Sequence, residues 1–75
     1  MTMSEIRKGV EFKVLGVSSG GETGKRLADM GFTEGATGNV VRKGFFKGPL
    51  QVRLRGYDIL IRSREADTIE VEPAT

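Results

Sequence analysis

The stretch LADMGFTEGA, residues 27–36, holds a complete signal for ending a helix and turning back into extended chain. A short helix over about residues 22–30 places Leu27 and Met30 three apart, on one face. With Gly31 taken as the first residue past the helix cap, Leu27 falls three positions before the cap and Phe32 two after it. Those two side chains touch in a Schellman ending, with the glycine in the left-handed conformation. A second glycine, Gly35, follows four residues later. Met30-Gly31-Phe32 therefore reads first as a structural device.

Working outward, the flanking segments read as strands. VEFKVLGV (10–17) alternates, with Val10, Phe12 and Val14 on one face. TGNVVRK (37–43) and LQVRLR (50–55) form a hairpin with Val52 and Leu54 inward and Arg53 and Arg55 outward. Gly56-Tyr57 turns the chain into DILIR (58–62), and TIEVE (68–72) closes it before Pro73. Between them Ser63 is positioned to N-cap a single helical turn over about 63–67. The fold class is mainly β with one short helix: five short strands, too few to bury both faces unless the sheet curls into a small barrel. With 75 residues the chain is one domain, 1–75, with an ordered core over about 8–72.

Composition narrows the chemistry. There is no histidine and no cysteine, so the usual general base, the thiol nucleophile and the commonest transition-metal ligands are missing. An enzyme is not expected, nor a cofactor or a strong metal site built by one chain. Met1 to Lys8 contains no apolar run and no window approaches a membrane span, so the expected location is cytoplasmic.

Charge is unevenly spread. Residues 1–35 hold five acids and five bases, and 65–75 hold four acids and no base. Between them lie Arg42, Lys43, Lys47, Arg53, Arg55, Arg62 and Arg64 against Asp58 alone. In the helix Lys25 and Arg26 precede Asp29, the wrong order for the macrodipole, and a Lys25–Asp29 pair offsets part of this.

GGETGKR (20–26) invites comparison with a phosphate-binding loop. That pattern needs a glycine where Ser19 stands and a Ser or Thr where Arg26 stands, so it fails twice. The segment reads as a loop capped by Thr23 or a serine. RKGFFKGPLQVRLR (42–55) is more suggestive, since bases flank two adjacent phenylalanines at a hairpin tip. Neighbours in extended chain point to opposite faces, so if one of Phe45 and Phe46 enters the core, the other is exposed. Such an aromatic among cations suits a protein partner or, as the alternative, the bases of a single-stranded nucleic acid. The candidate partner-binding residues are Phe45, Phe46 and Lys47, with Arg42 and Arg53 beside them.

The residues also resemble a known family. Leu27, Met30, Gly31, Phe32, Gly35, Pro49, Val52, Leu54, Gly56, Ile61, Arg62, Glu65, Ala66, Ile69 and Val71 stand in the order and spacing of the ferrous iron transport protein A family, FeoA. The resemblance runs from about Gly9 to Val71. It departs in the central loop, where many members have Pro-x-Gly-Asp-Pro and this chain has Phe45-Phe46-Lys47-Gly48-Pro49. The resemblance implies a bacterial Src-homology-3-like barrel. It also implies a non-enzymatic accessory or regulatory protein of ferrous iron uptake, whose partner is the FeoB-type permease with its cytoplasmic G-protein domain. Transition-metal binding comes with the family only weakly. Leu27, Met30, Gly31, Phe32, Gly35 and Gly56 are expected to serve the fold.

Overall fold

The structure, a computed structural model, describes residues 1–74. The elements run β1 (Glu11–Val17), α1 (Gly21–Asp29), β2 (Thr37–Lys43), β3 (Leu50–Leu54), β4 (Tyr57–Ile61), α2 (Ser63–Ala66) and β5 (Ile69–Pro73). All five strands belong to one antiparallel sheet in the order β4-β3-β2-β1-β5. Both end strands feed one core, Ile61 from β4 and Ile69 and Val71 from β5. The sheet is therefore curled on itself as a small barrel, with alternate residues Phe12, Val14, Val40, Val52 and Leu54 inside.

The helix ending forms as its residues require. Phe32 N–H donates to Leu27 C=O at 3.1 Å and Gly31 N–H to Ala28 C=O at 3.0 Å, the two bonds of a Schellman motif. Gly31 has φ +110°. Leu27 and Phe32 are both buried, so the stop signal is also the joint by which α1 packs on the barrel.

Several local expectations are corrected. The core does not begin near residue 8: Met3 and Ile6 are buried in it, because the first residues pair along the free edge of β5. Met3 N–H donates to Ile69 C=O and Val71 N–H to Met1 C=O, both at 2.8 Å. Gly20 precedes α1 with no side-chain cap, so neither Thr23 nor a serine fills that role. At α2 the N-cap is Arg62 rather than Ser63, and the Glu65 carboxylate accepts Arg62 N–H at 2.9 Å. Among the described residues the helix ion pair is Arg26 with Glu65, a bond between α1 and α2, in place of Lys25–Asp29.

The β3–β4 turn lies one residue earlier than its sequence suggests. Leu54 pairs with Tyr57, leaving Arg55 (φ 52°) and Gly56 (φ 84°) as the two left-handed residues of a tight hairpin turn. Arg55 is thus a turn residue and not the end of a strand.

Candidate interaction site

The β2–β3 hairpin projects the cluster that its sequence singled out. The ladder slips between Val40 and Arg42: Val40 pairs with Val52, Arg42 with Gln51 and Lys43 with Leu50. Val41 is the extra residue of a β-bulge. Strict alternation from the buried Val40 would turn Arg42 inward, and the bulge turns it out to solvent.

Beyond Lys43 and Leu50 the loop is closed by its own backbone. Gly44 N–H donates to Pro49 C=O and Gly48 N–H to Phe45 C=O, each at 2.9 Å. Gly44 and Gly48 approach so closely that a Cβ on Gly44 would lie 2.9 Å from the Gly48 Cα. Phe46 (φ 49°) and Lys47 (φ 62°) occupy the left-handed region between them. Non-glycine residues there are strained by roughly 1–2 kcal/mol each.

Neither phenylalanine enters the core, because a left-handed turn does not alternate as a strand does. Phe45 is 89 % exposed and Phe46 93 %, and their rings pack on each other with centroids 5.3 Å apart and planes tilted by 51°. Around them stand Arg42, Lys43 and Lys47, none of which is ion-paired among the described residues. Lys43 Nζ donates to Ser4 C=O at 3.1 Å, which fixes the cation at the base of the tip without neutralising it. A shallow cleft of about 330 Å³ lies behind the loop, with Ser4, Lys43, Lys47, Ser63 and Asp67 along it.

Arg53 stands apart from this cluster, at the opposite end of β3. Its Nε lies 2.8 Å from Asp58 Oδ1 and its Nη2 3.2 Å from Oδ2, while Gln51 Nε2 donates to Oδ2 at 3.0 Å. The Arg53 hydrogen bond holds the Asp58 carboxyl below its ordinary range, and Gln51 adds to this. The same bond raises the Arg53 pKa. Four of the five candidate residues therefore gather at one tip, and the fifth is engaged elsewhere on the outer face.

Two further features lie outside the residues singled out in the sequence. Tyr57 and Leu60 on the edge strand β4 are 74 % and 69 % exposed. The signal for Leu60 was its place between Ile59 and Ile61, which alternation turns outward. Ser19, Thr23, Arg62, Arg64, Glu65 and Thr68 line a second open cleft of about 280 Å³. Among the described residues no three acidic side chains come together to hold a metal ion, and no helix is long and apolar enough to cross a membrane.

Comparison with known proteins places this geometry in a family. The pattern of the FeoA domain matches residues 1–73. A fusion of Fe(2+) transport protein A with the Fe(2+) transporter FeoB, from Porphyromonas gingivalis, is 33 % identical over 72 residues. That alignment takes in 96 % of this chain but only 8 % of the fusion protein. The solution structure of FeoA from Chlorobium tepidum superposes with a TM-score of 0.91 at 29 % identity, covering 100 % of this chain and 71 % of that one. A zinc complex of FeoA from Stenotrophomonas maltophilia, described as a procaryotic SH3 domain protein, gives 0.85 at 28 % identity over 96 % of this chain and 89 % of that one.

Proposed function

This chain belongs to the FeoA domain family, and on that premise we propose that it is a non-enzymatic, cytoplasmic accessory protein of ferrous iron uptake. It acts by binding a FeoB-type permease at its cytoplasmic G-protein domain. The observation that carries this reading is the fusion relative, in which a domain 33 % identical to this chain shares a polypeptide with the FeoB transporter. Fusion raises the effective concentration of two modules to roughly millimolar, which favours pairs that work in contact. The absence of histidine and cysteine supports a binding role over catalysis.

The β2–β3 hairpin is the end we assign to the permease, with Arg42, Phe45, Phe46 and Lys47 at the contact and Arg53 on the adjoining strand. Titration of the isotope-labelled protein with the soluble G-domain of the cognate permease tests this. Amide shifts should concentrate at 42–49, and Phe46→Ala and Lys47→Glu should each weaken binding. Unchanged shifts and affinity in both variants would remove the hairpin from the interface.

A further inference from the structure

We propose that the β2–β3 tip is a membrane-interface anchor. Phe45 and Phe46 enter the headgroup region of an anionic bilayer, and Arg42, Lys43 and Lys47 face its lipid phosphates. This deepens the permease reading and rests on it for location, since a module docked on a membrane transporter has the cytoplasmic leaflet within reach.

The first argument is that the fold does not use the two rings. Scattered apolar side chains on a surface need no explanation, but these are contiguous, almost wholly in water and at the end of a projecting ribbon. The loop is shaped by the Gly44–Pro49 and Gly48–Phe45 backbone bonds, not by packing of the rings. Phe46 and Lys47 also hold the left-handed positions that glycine or asparagine would occupy without strain. An apolar and a basic side chain are thus kept where local preference is against both. Strain of this kind collects at functional sites.

Shape and charge then choose among ligands. A nucleic-acid platform lays aromatic faces open in series along a basic groove. Here the two rings pack on each other at 5.3 Å, on a convex tip. Its charge has a single sign: from Gly35 to Gln51 the chain carries Arg42, Lys43 and Lys47 and no acid. Asp67, the acid beside the cleft, accepts a hydrogen bond from Ser4 Oγ at 2.5 Å. Apolar residues at the point with cations around them match an anionic lipid surface, where burial of the rings and attraction to the headgroups add.

Co-sedimentation of the full chain with vesicles tests the proposal, comparing phosphatidylcholine alone with phosphatidylcholine plus phosphatidylglycerol. Binding is expected to the anionic vesicles, falling with salt, and not to the neutral ones. Phe45→Ser with Phe46→Ser should abolish it. Lys47→Glu should weaken it about 25-fold, two charge units at about fivefold each. Phe46→Trp provides a direct reading of insertion, as an emission blue shift and quenching by brominated lipid. Three results would overturn the anchor: no binding to anionic vesicles at low salt, binding indifferent to loss of both rings, or no blue shift. Capture of a single-stranded oligonucleotide by the tip, with vesicles ignored, would assign it to nucleic acid instead. The permease reading is separable. Should the soluble G-domain shift the tip amides while vesicles do not, the anchor fails and that reading stands. Vesicle binding without any G-domain shift supports the anchor and removes the G-domain contact.

Discussion

Replacing Gly31 by alanine adds a single methyl group at the point where α1 is joined to the barrel, and its consequence follows from one distance and one angle. The residue sits at φ +110°, where an L side chain is disfavoured. That conformational term is about 1–2 kcal/mol. The new Cβ would also lie 3.1 Å from Leu54 Cδ2, tighter than ordinary contact. Leu54 is itself buried between β2 and β4, so it yields only by disturbing its neighbours. Crowding of this kind adds about 1 kcal/mol, giving a total of about 2–3 kcal/mol.

Each kcal/mol shifts the melting temperature of a domain this size by roughly 4–8 °C. Gly31→Ala should therefore melt about 10–20 °C lower, followed by circular dichroism, with a lower urea midpoint and an unchanged slope. Gly35→Ala is the control, because Gly35 has φ +90° but open space where a Cβ would go. It should show the conformational term alone. Adding Leu54→Val to Gly31→Ala should cost less than the sum of the two single changes, since the shorter side chain relieves the contact. A melting temperature within about 3 °C of the parent would refute the capping argument. Strict additivity with Leu54→Val would refute the packing half of it.

Substitutions at three other positions separate structural from functional roles. Arg55→Asn should stabilise the protein by about 0.5–1 kcal/mol in urea titration, because asparagine tolerates the left-handed turn position that Arg55 occupies at φ 52°. Asp58 is held below the ordinary carboxyl value by Arg53, so its pairing supports the fold above about pH 4 and is lost as the pH falls through the folded pKa. Arg53→Met should return the Asp58 midpoint, followed by carboxyl NMR, towards its ordinary value and remove that contribution to acid stability. Glu65→Ala removes both the acceptor for Arg62 N–H and the partner of Arg26, for a loss of about 1–2 kcal/mol. Glu65→Gln keeps an acceptor and should recover most of that loss; no recovery would assign the effect to the ion pair.

The legible parts of this fold are those decided within a few residues. Leu27, Gly31 and Phe32 specify the helix ending through bonds that span at most five positions, and alternation finds the inward residues of β3. What escaped depends on partners distant in sequence. Met3 and Ile6 show no period of their own and are buried because the edge of β5 accepts the first residues as a further strand. The bulge at Val41 exists only relative to Val52 and Gln51, yet it decides that Arg42 meets solvent. A one-residue difference in the β3–β4 turn decides which arginine meets Asp58. With Arg55-Gly56 as its centre, Arg53 lies opposite the carboxylate. Had the turn been centred on Gly56-Tyr57, Arg55 would have faced it. Arg53 is a candidate by its charge, and that charge is already answered across the sheet. Arg42 and Lys47 make no ion pair among the described residues. The tip carries a different kind of signal. At most positions residue type, backbone and burial agree, as they do at Gly31, while Arg55 departs in backbone alone and Tyr57 and Leu60 in burial alone. At Phe46 and Lys47 the departures coincide: an aromatic in water, a left-handed backbone without glycine, and cations without an ion pair among the described residues. Natural sequences depart from local consistency mainly at functional sites, so this disagreement, more than exposure alone, is the ground on which we propose the contact at the β2–β3 tip.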